Sequence, residues 1–226
     1  MAMPKRSPDA NTRRTQLRVT EIFHSIQGES RTVGFPTVFV RLTGCPLRCT
    51  YCDTTYAFSG GEPKTIPLIL KEVADFEPRY VCVTGGEPLA QPACRSLLTA
   101  LCDAGYEVSL ETGGALDIAG IDPRVTVVMD LKTPSSGEEP RNRWDNLQFL
   151  RPTDQLKFVL TDRSDYEWAR KVIAERGLAA VATLLLSPVW GRLDARELAE
   201  WVLADRLPVC VQVQLHKYLW GEARGH

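Results

Sequence analysis

Short apolar runs alternate with amphipathic segments along most of this 226-residue chain, and that alternation constrains the fold more than any other feature. Strand-like runs fall at residues 18–27, 36–43, 80–84, 107–110, 125–130, 156–160, 181–186 and 209–215. Helical periodicity falls at 65–76, 92–104, 164–176 and 194–204. In the first helix Ile66, Ile69, Leu70 and Val73 share one face. Ser164 reads as the cap of the third helix and Gly177 as its stop, while Asp194 and Glu197 have capping-box spacing. Strands joined through helices run mainly parallel, which places the chain in the α/β class.

Composition narrows the function classes. A 44% hydrophobic and 24% charged chain of this length supports one core without staples. Lys+Arg 27 against Asp+Glu 28 leaves a net charge of -1, so no nucleic-acid or membrane partner is expected from bulk charge. No apolar run approaches the roughly 20 residues that span a bilayer. Residues 1–18 lack the apolar segment of a secretory signal. With seven cysteines, an odd number, the expectation is a reducing, cytoplasmic compartment rather than a disulfide framework. Cys82, Cys94, Cys102 and Cys210 sit in apolar or periodic contexts and read as buried hydrophobes. Residues 1–16 read as a disordered polar tail, and 17–226 as a single domain.

The other three cysteines form a C-x3-C-x2-C run, Cys45, Cys49 and Cys52, directly after the second strand. Three thiolates are one too few for a closed structural zinc site, whereas three can hold three irons of a cubane cluster and leave the fourth open. Zinc stays an alternative if His24, His216 or a distant cysteine completes the set. One strand later comes Thr84-Gly85-Gly86-Glu87-Pro88, where glycines at a strand end let backbone groups approach a ligand closely. In the last strand-like run Cys210, Gln212, Gln214 and His216 alternate with apolar residues. That pattern fits either a polar face turned to a cavity or an amphipathic edge.

The cysteine run, the aromatic Tyr51 before its last cysteine and Gly-Gly-Glu-Pro together resemble the radical S-adenosylmethionine superfamily. Further segments resemble its 7-carboxy-7-deazaguanine synthase family over nearly the whole chain: Glu21 to Ser30, Val38 to Cys45, Cys52-Asp53-Thr54, Leu110 to Gly114, Val128 to Lys132, and Leu215 to Leu219. The resemblance implies a partial, open (β/α) barrel of about six core strands with few flanking helices. It implies a 4Fe–4S cluster on Cys45, Cys49 and Cys52, and magnesium at Thr54. It places S-adenosylmethionine along Tyr51, Cys52, Asp53, Gly86, Asp130, Leu131 and Lys132. Substrate contacts are implied for Ile26, Gln27, Gly28, Arg41, Thr84 and His216. Glu29 and Glu111 are candidates to orient groups or move protons, and Ser187 is a weaker candidate for a cofactor contact. The planar fork of Arg41 suits a substrate carboxylate.

The implied enzyme is a lyase that contracts the ring of 6-carboxy-5,6,7,8-tetrahydropterin to 7-carboxy-7-deazaguanine and releases ammonia, in queuosine and deazapurine biosynthesis. It would regenerate S-adenosylmethionine, draw electrons from a flavodoxin or ferredoxin, and act as a homodimer. Two other readings are an activase for a glycyl-radical enzyme and a zinc-binding interaction module. Two features depart from familiar members. The chain continues eight residues past Tyr218, so Trp220 or Arg224 becomes a candidate for the contact made elsewhere by a terminal carboxylate. Residues 133–146 read as a flexible loop, either a lid or solvent-facing filler.

Overall fold

The computed structural model describes residues 16–225. Residues 1–15 of the expected tail lie outside the described residues, and Gln16 already opens the first strand. The strands are β1 (Gln16–Ile26), β2 (Pro36–Leu42), β3 (Glu62–Thr65), β4 (Tyr80–Gly85), β5 (Glu107–Thr112), β6 (Thr126–Asp130), β7 (Gln155–Leu160), β8 (Thr183–Pro188) and β9 (Cys210–Val211). The helices are α1 (Ile66–Ala74), α2 (Cys94–Asp103), α3 (Arg163–Arg176), α4 (Ala195–Asp205) and α5 (Leu215–Trp220). Among the described residues the strands make one sheet, in the order β3-β1-β2-β4-β5-β6-β7-β8-β9. Every pair from β2–β4 onward is parallel, while β1 runs antiparallel to both β2 and β3. The sheet does not close on itself, which is the partial barrel expected, with β2 and β4 to β8 as its six long parallel strands.

Strand side chains alternate, and here each face has its own chemistry. Val38, Val40 and Leu42, Val81 and Val83, Leu110, Met129, Leu156 and Phe158 join one apolar core with the helices. Leu97, Leu98 and Leu101 of α2 are fully buried in that core, each burial worth about 1.5–3 kcal/mol. On the other face Phe39 and Arg41, Thr84, Glu111, Val128 and Asp130, and Lys157 and Val159 look into a cavity. The register sets the polar residues side by side: Glu21 opposite Arg41, Arg41 opposite Thr84, and Asp130 opposite Lys157.

Several local expectations are corrected. The strand at 209–215 is only Cys210–Val211, and Leu215 opens the short helix α5. The strand expected at 181–186 is Thr183–Pro188, and a short helical turn, Leu178–Ala180, precedes it. The cap of α3 is Asp162, whose carboxylate accepts from the Ser164 and Asp165 N–H groups. Ser164 lies inside the helix and donates its hydroxyl to Asp162 at 2.6 Å. Cys82, Cys94 and Cys102 are buried as expected, but Cys210 is exposed because β9 is the sheet edge. Residues 133–146 are neither filler nor open loop: Thr133, Ser136, Asn142 and Asn146 are buried and hydrogen-bonded. β3 has no apolar run, so the alternation rule gave no sign of it.

Candidate active site

The parallel strands end at one rim, and a cavity of about 470 Å³ opens there. This is the carboxyl end of the strands, where α/β barrels gather ligands. The loop after β2 brings Cys45, Cys49 and Cys52 to the cavity wall as half-buried free thiols. Burial pushes all three thiol pKa values up, and the Lys132 ammonium opposes it at each. Among the described residues, no three His, Cys, Asp or Glu side chains gather closely enough to hold a single metal ion. A cubane takes each thiolate on a different iron, so the cysteines line one wall without converging on one point. His24, named as a possible zinc ligand, is turned to Phe76 with ring centroids 5.9 Å apart.

The glycine motif is a close-approach device. A Cβ on Gly86 would stand 2.4 Å from the Gly44 oxygen and 2.9 Å from Cys45 Cβ, so only glycine lets β4 end against the cysteine loop. Its neighbour Glu87 is fully buried and accepts from Thr112 Oγ1 and from the N–H groups of Leu89 and Gly113. Burial raises the Glu87 pKa against those donors. The carboxylate therefore ties the ends of β4 and β5 together.

Next to the thiols stands a buried ion pair, Lys132 Nζ to Asp130 Oδ2 at 2.6 Å. Burial works against the ammonium, but Asp130, Tyr51 and Cys49 outweigh it and hold its pKa above the usual lysine value. Asp130 Oδ1 is buried without a partner, an acceptor left for a ligand donor. Leu131 turns its side chain into the core and donates its N–H to the Lys157 carbonyl.

A second group lies deeper. Arg41 donates Nε to Glu21 at 2.7 Å and lies over the rings of Phe23 and Tyr56. Thr84 donates its hydroxyl to Glu111 at 3.0 Å. Burial pushes the Glu111 carboxyl up, and Glu29 adds to this, against Lys157, Thr84 and Arg41. Lys157 donates to Glu29 at 2.8 Å. Gln27 Nε2 and Glu29 Oε1 are buried with no partner, a donor and an acceptor on one short loop. His216 packs so closely on Gly28 that a Cβ there would stand 2.0 Å from its Nδ1. Burial lowers the His216 pKa.

At the edge between these groups, Thr54 donates to Asp53 Oδ1, and Lys217 and Gln214 donate to Asp53 Oδ2 at 3.2 and 3.4 Å. Burial opposes the Asp53 charge, but these donors win and lower its pKa.

The residues expected at the cluster, the magnesium, the cofactor and the substrate, with Glu29 and Glu111, all line the one cavity except Gly28 and Leu131. Ser187 does not line it; its hydroxyl donates to the Gln212 carbonyl. Gln212 is spent on Ser30, donating Nε2 to its carbonyl and accepting its N–H, while Gln214 does reach the cavity. Arg224 lies 4.2 Å from the centre of the Tyr56 ring, and Glu222 is the tail residue that lines the cavity. Sequence reasoning missed Lys157, Lys217, Trp190 and Glu222. The signal for Lys157 was available: a lysine in the middle of Gln-Leu-Lys-Phe-Val-Leu, on a strand with neighbours on both sides.

The residues present fit a cluster and S-adenosylmethionine. The thiols stand on one wall, glycine backbone borders them, and Asp130, which carries one buried orphaned oxygen, lines the same cavity. A model of the radical SAM superfamily matches residues 39–142. The 7-carboxy-7-deazaguanine synthase of Chlorobaculum tepidum is 47% identical over 92% of this chain and 97% of its own. That of Koribacter versatilis is 40% identical over 90% of this chain and 97% of its own. The crystal structure of QueE from Escherichia coli has the same fold, with a TM-score of 0.72 at 22% identity over 89% of this chain and 95% of that one. The chain belongs to the 7-carboxy-7-deazaguanine synthase family of the radical SAM superfamily.

Proposed function

We propose that residues 17–226 act as one domain that converts 6-carboxy-5,6,7,8-tetrahydropterin to 7-carboxy-7-deazaguanine and ammonia, on the route to queuosine and other deazapurines. The observation that carries this reading is that a single cavity joins a three-thiol wall to a deeper group of Arg41, Glu111, Lys157, Glu29 and His216. When bound, the reduced cluster and S-adenosylmethionine supply the radical that draws hydrogen from the substrate. The protein's own residues bind and orient. With its Nε held by Glu21, Arg41 presents the rest of its guanidinium to a carboxylate. Gln27 Nε2 and Glu29 Oε1 offer a donor and an acceptor, which match the mixed edge of a pterin ring. His216, kept neutral by burial, adds one donor and one acceptor. Tyr51, Asp130 and Lys132 border the cofactor.

Thr54 is proposed as a magnesium ligand, its hydroxyl beside the Asp53 carboxylate; magnesium takes few protein oxygens and keeps several waters. A flavodoxin or ferredoxin as electron donor, a homodimer and a cytoplasmic site complete the proposal.

The test is anaerobic turnover of reconstituted protein with the tetrahydropterin, S-adenosylmethionine and a reductant. Deazapurine and ammonia are expected in equal amounts. An intact cluster with neither product would overturn the assignment. Thr54→Ala is expected to keep cluster content while losing the response of the rate to added magnesium; an unchanged magnesium titration would remove the metal from this position.

A further inference from the structure

The cysteine loop makes few backbone hydrogen bonds of its own, and the Arg48 guanidinium adds two, donating to the Cys45 and Leu47 carbonyls at 2.7 and 2.6 Å. Among its described backbone bonds, Cys52 donates to the Cys49 carbonyl at 3.1 Å, and Gly44 donates to Ala57 outside it at 2.8 Å. It forms neither helix nor strand from Thr43 to Thr54. A loop this poor in internal bonds takes its shape from what packs against it. At its start the end of β4 packs against it, the Glu87 N–H donating to the Gly44 carbonyl at 2.7 Å, and around Cys49 it is the connection between β6 and β7. The Arg48 N–H donates to Glu138 Oε1 at 2.5 Å. The Thr50 N–H donates to the Ser136 carbonyl at 3.0 Å, and the Thr50 hydroxyl to the Ser135 carbonyl at 2.7 Å. Arg48 and Thr50 are the two neighbours of Cys49, so both backbone donors flanking the middle cysteine end on residues 136 and 138.

The clasping segment is itself anchored. Ser135 donates its N–H to Asp165 Oδ1 at 3.0 Å, and Asp165, fully buried on α3, accepts from the Thr161 N–H and hydroxyl on its other oxygen. The Thr133 hydroxyl donates to the Val159 carbonyl, and the buried Ser136 hydroxyl to the Thr133 carbonyl. Farther along, Asn142 brackets Lys132, accepting its N–H and donating to its carbonyl, both at 2.8 Å. One segment therefore grips both sides of Cys49 and the backbone of the lysine that faces it.

We propose that residues 133–142 are a clasp that sets the position of Cys49 for cluster binding, with Glu138 and Asp165 as its positioning residues. Neither side chain lines the cavity, so both act through the cysteine loop and not on the ligand. The proposal rests on reading Cys45, Cys49 and Cys52 as cluster ligands. It assigns to the segment a role in retaining the cluster that is separate from turnover.

The experiment uses the anaerobically reconstituted holoenzyme. Iron and sulfide content, the electron paramagnetic resonance spectrum of the reduced cluster, and the rate of iron loss to an excess of the chelator bathophenanthroline are measured for wild type, Glu138→Ala, Glu138→Gln and Asp165→Asn. Glu138→Ala is expected to lose iron about tenfold faster, the factor matching one lost hydrogen bond to a charged group, at an unchanged melting temperature. Glu138→Gln keeps an acceptor oxygen and is expected to restore most of the slow rate. Asp165→Asn is expected to speed loss as well; because it sits in the core, the surface variant Glu138→Ala carries the test if Asp165→Asn does not fold. Wild-type rates and spectra in a folded Glu138→Ala would overturn the clasp. A wild-type protein that assembles no 4Fe–4S cluster would overturn the cluster reading instead, so the two failures are distinct.

Discussion

Lys157 brings an ammonium into the cavity interior with its side chain 13% exposed, facing a Glu29 that is 11% exposed. Burial opposes the charge, and Glu29, Asp130 and Glu111 outweigh it, which keeps the lysine protonated above its usual range. Removing one member of such a pair strands the other. Lys157→Met is therefore expected to cost about 3–5 kcal/mol in urea unfolding, and a Glu29→Gln, Lys157→Met double variant to recover most of it. Strictly additive losses would show that the two charges do not depend on each other. His216 carries a pH signature. Its folded pKa lies below the unfolded value of about 6.5, so the unfolded chain takes up the proton first as the solution is acidified. Stability is thus fully present above about pH 6.5 and lost as pH falls towards the folded pKa. Urea midpoints at pH 7.5 and 5.5 are expected to fall less in His216→Asn than in wild type; equal falls would assign the acid sensitivity to other groups. Most of these residues were legible as chemistry, because Arg41, Thr84, Glu111 and Asp130 interrupt or end apolar strands. Lys157 followed the same rule and lacked only a flanking motif to draw attention to it.

At the scale of elements, the helices and parallel strands were readable because each buries an apolar face with its own period. What failed were the ends and the edges. The spacing points to Ser164 as the cap of α3, yet Asp162 carries the cap and also receives the Ser164 hydroxyl. Asp162→Ala is expected to cost about 1 kcal/mol, while Ser164→Ala costs only a few tenths, compared by thermal melts. The reverse ranking would restore Ser164 as the cap. The last strand was read seven residues long from a clean alternation. Only Cys210 and Val211 stand in strand register with β8, opposite Leu185 and Leu186. Beyond them Gln212 is fastened to Ser30, and the Leu215 N–H is donated to the Gly28 carbonyl. The Gln212 N–H still donates to the Leu186 carbonyl, but the Gln212 side chain and the Leu215 N–H take partners in the loop after β1, and no periodicity encodes those.

On the scale of the whole molecule, the open sheet becomes an enclosed site through the short loop after β1. From it the Arg31 N–H donates to Gln155, Ser30 exchanges two bonds with Gln212, Glu29 pairs with Lys157, and Gly28 accepts from Leu215. These contacts tie β1 to β7 and to the segment after β9, across the gap between the sheet's two ends. Gln212→Ala would leave the buried Ser30 N–H without a partner, while the Ser30 carbonyl keeps the Val33 N–H at 3.3 Å. It is expected to cost about 1–3 kcal/mol, the range for one stranded buried donor. A raised KM for the tetrahydropterin is expected with it. An unchanged KM at lowered stability would show that the bridge supports the fold without shaping the site.

The class of the fold, the cysteine spacing and the family are legible in the chain alone. Each is written in local patterns: a two-residue period, a C-x3-C-x2-C spacing, and a glycine pair where two backbones touch. Only the tertiary structure decided which residues complete the site. The Lys157–Glu29 pair, the Gly28–His216 contact and the grip of residues 133–142 on the neighbours of Cys49 join positions from 85 to 188 residues apart along the chain. Such pairings depend on how the strands stand side by side, and composition and spacing do not record that.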